Sequence, residues 1–170
     1  MASCLARSRL RKFLATFFIV CRLATPLHSR NVMPTKATIE KARRDEREGK
    51  APSTQAGEFV HEEIDHIREG KHGARNTKQA IAIGLSKARR AGVKLPPPSK
   101  STTSAATRRK AQRDAAVGAG QGTRRTSRTR SRATARALKR EGSNAASRQA
   151  LSKQAKQAAT SRRRAGRKSA

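Results

Sequence analysis

From Ser99 to the C-terminus the chain offers only three large apolar side chains, Val117, Leu138 and Leu151. The same 72 residues carry 21 basic groups against two acids, Asp114 and Glu141. Such a stretch cannot bury enough apolar surface to offset the entropy of ordering it, and its charges repel. The composition therefore predicts a disordered Ala/Arg/Lys/Ser-rich basic tail over 99–170. Two runs within it, Ser131–Glu141 and Ser147–Thr160, are rich in helix formers and are expected to become helical where phosphates screen the repulsion. The segment Gly118–Gly122 lacks the preceding strand and the Gly-Lys-Ser/Thr of a phosphate loop, and reads as a flexible joint.

The rest of the charge falls into blocks. Of the net +30 on 170 residues, 1–32 hold +6, 33–69 hold −2, 70–98 hold +7 and the tail holds +19. The N-terminal extension is basic and acid-free around Phe13–Cys21, a run of nine residues. That is far short of the ~20 needed to cross a bilayer. Arg22 abuts it and no small-x-small cleavage pattern follows, so 1–32 reads as a misassigned start or a targeting segment, with Met33-Pro34 opening a different composition. Both cysteines, Cys4 and Cys21, lie there, which leaves 33–170 without a thiol for a disulfide or a cysteine metal site.

The middle, 33–98, has helical logic. Pro34-Thr35 opens a polar stretch, Lys36–Glu48, stopped by Gly49, with Glu40 and Arg44 in the favourable order four apart. Ser53 or Thr54 caps a second helix through Glu69, stopped by Gly70. On it Ala56, Phe59, Val60, Ile64 and Ile67 form one stripe, and Glu58, Glu62 and Asp65 lie opposite. Asn76 with Gln79 makes a capping-box start for a third helix, Thr77–Ala91, ended by Gly92 and then Pro96-Pro97-Pro98. Ile81, Leu85 and Ala88 form its stripe, and Ala80, Gly84 and Ala91 are small enough to admit a close neighbour. Two such helices joined by a short loop predict a helical hairpin at about 53–92. Nine large apolar residues between 50 and 95 are few, so dimerisation or ordering on a partner is expected.

The basic tail carries the functional reading. Each Lys or Arg that neutralises a phosphate releases condensed cations, and that release drives binding. The residues expected to meet phosphate are Lys78, Lys87, Arg89 and Arg90 on the third helix. In the tail they are Arg108, Arg109, Lys110, Arg124, Arg125, Arg128, Arg130, Arg132, Arg136, Lys139, Arg140, Arg162, Arg163, Arg164, Arg167 and Lys168. Beyond residue 32 the one aromatic ring other than histidine is Phe59, which the core claims. No base-stacking platform exists, so DNA is favoured over RNA and contact is independent of sequence. His61, His66 and His72 stand near Glu62, Glu63 and Asp65, but no ligand trio shows an established spacing. They read as exposed histidines paired with acids, and neither a metal nor a cofactor is expected. No pocket is implied for a general acid–base pair, so no enzyme is expected.

The segment Lys78–Gly92 (KQAIAIGLSKARRAG) resembles the KQAIAIALSEARKAG-type signature of a small bacterial family of unknown function. Gly84 stands where Ala is usual and Lys87 where Glu is usual, and the likeness extends back through Ser53–Gly73. It implies a bacterial, intracellular setting and no established site residues. In composition the tail is similar to histone-H1-like bacterial proteins, without their Lys-Pro-Ala repeats. The combined expectation is a mostly disordered protein with short α-helices, a helical hairpin in the middle and no β-sheet. It would bind DNA in the nucleoid, with a homodimer through the hairpin as a further partner and no membrane. The alternatives are an RNA- or ribosome-associated protein, and a protein-interaction hairpin on a basic tether.

Overall fold

The computed structural model describes residues 33–100, 103–121 and 127–168. Among them are six α-helices, one 3-10 turn and no strand. The apolar run Phe13–Cys21 lies outside the described residues, and no described helix is long and apolar enough to cross a membrane.

Three helices form the centre. Helix α1, Lys36–Arg47, starts at Thr35, whose hydroxyl accepts from the Thr38 amide. Helix α2, Pro52–Arg68, has Ala51 at its cap and Pro52 in its first turn, where a missing N–H costs nothing. The expected Ser53 and Thr54 caps are thus already inside the helix. Helix α3, Thr77–Arg90, begins where the sequence places it: Asn76 Oδ1 accepts from the Gln79 amide at 2.8 Å. Gln79 Oε1 then takes the Arg75 amide, one residue earlier than in the usual reciprocal cap. Gly70, at φ +72°, turns the chain out of α2 through the left-handed conformation that only glycine adopts cheaply.

α2 and α3 pass one another in opposite directions. Phe59 packs with Ala88 in one apolar cluster, and Ile67 with Ala80 in a second. Phe59 and Ile67 are fully buried, each contributing about 1.5–3 kcal/mol by removal from water. The close approach is made at Gly84, where an added Cβ would lie 2.7 Å from Val60 Cα. Val60, Ile64, Ile81 and Leu85, expected inside, are only half-buried.

The pair is not free-standing. Ala42 of α1 and Val93 complete the first cluster, and Ala145 and Ala146 complete the second. These two alanines come from the tail, which the sequence reading leaves disordered. In the structure it carries α4 (Ala105–Gly118), α5 (Arg128–Arg140), the 3-10 turn Asn144–Ala146 and α6 (Arg148–Lys168). Backbone and polar docking substitute for the missing large apolar side chains. The Gly73 and Ala74 amides donate to the carbonyls of Leu138 and Gly142, Thr77 Oγ1 donates to Ala145 O, and Arg68 Nε donates to Ala146 O. A Cβ at Gly73 would collide with the Glu141 carbonyl, and one at Gly118 with that of Arg89. Gly118 is therefore a packing residue rather than the start of a loose joint.

Candidate functional site

The basic residues divide by what surrounds them. On α3, Lys87 points inward: its ammonium donates to Glu63 Oε2, and its side chain is only 12% exposed. Arg90 donates from Nε to Asp114 Oδ1 at 2.9 Å, while Ser86 Oγ donates to the other oxygen of the same carboxylate. Arg89 is half-buried, with Nε buried and unpartnered and one terminal nitrogen 3.4 Å from Pro96 O. Of the four α3 cations expected at a phosphate surface, only Lys78 is both exposed and without an ion pair. The expected basic face of α3 is for the most part an internal electrostatic seam.

The tail differs. Its two acids are both engaged by cations of the central unit, Asp114 by Arg90 and Glu141 by Arg75. Among the described residues, no ion pair joins a basic side chain of the tail to an acid. Arg109, Lys110, Arg162, Arg163, Arg164 and Arg167 are exposed, and Arg108 is half-buried. On α5, at about 100° per residue, Arg128, Arg132, Arg136, Lys139 and Arg140 fall within roughly 120° of arc. All five are exposed, as is Arg130 outside that arc, and the half-buried Ser131, Ala135 and Leu138 form a stripe that adjoins the arc at Arg128. Arg124, Arg125 and the side chain of Lys168 lie outside the described residues.

A second polar cluster sits inside the central unit: on the wheel Glu63 falls within the apolar stripe of α2 and His66 beside Phe59, while Glu62 lies on the side assigned to solvent. Glu63 is fully buried, and His66 and Glu62 nearly so. Two neighbours cover this face. The start of α1 donates the Thr35 amide to Glu62 Oε1 at 2.8 Å, and the 70–76 loop folds His72 back over Glu63. Of the expected exposed pairs, only His61–Asp65 is one, with Nδ1 3.1 Å from Oδ2. Burial, followed by the nearby Lys71 and Lys87 ammonium groups, holds the His66 ring below its ordinary pKa, against the opposite pull of Glu62 and Glu63. The sequence reading sent the acids and histidines of α2 to solvent as a set, and so missed that the wheel places Glu63 inside the apolar stripe. Glu-x-x-His followed by a histidine just past the helix stop was the signal available.

Comparison with curated proteins and with solved structures found no match. Residues 34–101, which hold α1, α2, α3 and the three prolines, match the model of a family of unknown function. By that match, this part of the chain is similar to the family described as "Family of unknown function (DUF6496)".

Proposed function

We propose that the chain is a non-enzymatic protein that binds nucleic acid, DNA in preference to RNA, through the cations of its tail and without sequence choice. The observation that carries this reading is the state of the tail's charge: +19 over 99–170, with both acids paired elsewhere. A cation that neutralises no acid of its own protein is free to neutralise a phosphate and so to release a cation condensed on the nucleic acid. The basic arc of α5 supports the reading, because it presents five exposed cations along one side of a helix, where a phosphate backbone can meet them. On α3, Lys78 is a further exposed cation, whereas Lys87, Arg89 and Arg90 drop out of the reading. The compositional likeness to histone-H1-like proteins points the same way, and to the nucleoid as the setting.

The test is the salt dependence of binding by the full chain to several unrelated duplexes and to a structured RNA. Log affinity is expected to fall linearly with log salt, at about −0.9 per phosphate contacted, with one slope for all duplexes. Affinity that is flat between about 50 and 500 mM salt overturns the reading. Tighter binding to the RNA at every salt concentration moves the function to the RNA- or ribosome-associated alternative.

A further inference from the structure

We propose that Glu63, His66 and His72 form a binding site for a divalent transition metal of the zinc class. This inference rests on the buried cluster and is independent of the tail.

Helix α2 sets Glu63 and His66 three residues apart on one face, and the Gly70 turn brings His72 back to them. One ligand atom from each residue lies within 4.8 Å of the other two; the ligands of a tetrahedral zinc stand about 3.4 Å apart, so small side-chain rotations close the trio on one ion. The side chains are 1%, 6% and 10% exposed, so bulk water does not satisfy them.

The hydrogen bonds present a deficit that a cation resolves. His72 Nδ1 lies 3.3 Å from the Gly73 carbonyl, which can only accept, so Nδ1 carries the ring proton. The neutral ring then turns the lone pair of Nε2 toward Glu63 Oε1, 3.3 Å away. Two lone pairs face each other, and a cation belongs between them. A proton on Nε2 would serve His72 and Glu63, but it would leave His66 as it stands. His66 Nδ1 is buried with no hydrogen-bond partner, and its Nε2 is 3.8 Å from Glu62 Oε1, beyond hydrogen-bond reach. Glu63 Oε1 likewise has no hydrogen-bond donor. A metal ion is satisfied by all three residues at once.

The surroundings are those of a ligand set. An Nδ1–H donating to a backbone carbonyl fixes the tautomer that leaves Nε2 free to ligate. Lys87 holds the other oxygen of Glu63, orienting the carboxylate so that Oε1 faces the histidines. Two imidazoles and one carboxylate suit zinc, cobalt, nickel or copper and disfavour calcium and magnesium, which take oxygen ligands. Three protein ligands leave a fourth position for water or for a partner's side chain. The Lys71 and Lys87 ammonium groups oppose the ion's charge, so affinity is expected to be moderate. The ion would pin α2 to the 70–76 loop, on which the 138–146 segment docks.

The test is titration of the full chain, stripped with chelator, with cobalt(II) and then zinc. One equivalent of cobalt is expected to give the intense visible bands of a four-coordinate site, and zinc to displace it. Zinc is also expected to raise the thermal midpoint of the unmodified chain's helical signal, because it binds the folded form. His72→Asn and Glu63→Gln should each weaken binding about tenfold or more, while His61→Asn should leave it unchanged. Absence of both the cobalt bands and the thermal shift in the unmodified chain overturns the proposal, whatever the variants do. Metal uptake that persists in His72→Asn and vanishes in His61→Asn overturns it equally.

Discussion

The central unit and the tail are built from the same element, the short α-helix, yet they use their charged residues in opposite ways. In α1–α3 and the loops between them, cations and acids satisfy each other, some of them out of water: Lys87 with Glu63, Arg90 with Asp114, Lys50 with Asp45 at 2.8 Å. The Lys50 ammonium is held above its ordinary pKa by its hydrogen bonds to Asp45 and then to Glu48. In α5 and α6 the basic side chains stand in solvent with no acid beside them. The lesson is that a residue count cannot separate the two. The +7 of 70–98 and the +19 of the tail look continuous in sequence, but five of the seven cations in the first are paired with acids.

Substitutions that are matched in kind across the two regions should therefore differ sharply in effect. The largest difference is expected for Lys87→Met against Arg136→Met. Removing Lys87 leaves the Glu63 carboxylate buried without its ammonium, a loss of about 3–5 kcal/mol, enough to unfold a unit of this size. Arg136→Met should stay within about 0.5 kcal/mol. Urea melts followed by far-ultraviolet circular dichroism, with chelator present, measure both, and equal losses would erase the contrast.

Next come the glycines. Gly84→Ala drives a methyl group against Val60 and should cost about 1–3 kcal/mol, more than the helix-propensity gain of about 1 kcal/mol returns. Gly142→Ala meets nothing within 4 Å and should be nearly neutral in the same melts. A smaller loss, about 1 kcal/mol, is expected for Asn76→Ala, which removes the acceptor of the Gln79 amide.

The smallest effect on stability belongs to Arg162, Arg163, Arg164 and Arg167 replaced together by Gln. Stability should be unchanged within about 0.5 kcal/mol, whereas the log–log salt slope of duplex binding should become shallower by up to about 3.6 if all four meet phosphate. A stability loss with an unchanged slope would place these arginines with Lys87 rather than with the tail's free cations.

Much of the central unit was legible in the sequence because its signals are local. The Asn76 cap and the Gly70 turn act through the backbone within a few residues, and each is found in its expected role, as is the small residue Gly84, which admits Val60 of α2. The polar interior was legible only at Glu63, which the wheel sets inside the apolar stripe. Whether Glu62 and His66 face water depends on what covers them, and the cover comes from Thr35 and His72. For the same reason Lys87 and Arg90 read as a basic face, because their acids lie 24 residues away in either direction. In the tail, α5 and α6 overlap the two runs expected to turn helical on phosphate, whereas α4 and the docking of 138–146 escaped, because that docking uses carbonyls and glycines, which carry no hydrophobic signature.

That docking has a consequence for how the protein can be observed. Within a helix an amide is protected by its own neighbours, and its exchange with solvent reports only on that helix. The amides of Gly73 and Ala74 are different, since their acceptors are the carbonyls of Leu138 and Gly142, more than sixty residues further along. Their deuterium uptake is thus a clock for undocking of the 138–142 strap, separable from the unfolding of any helix. If DNA draws the tail away, these two amides should speed up while those of α2 and α3 keep their protection. If the strap stays seated in the complex, they should slow down.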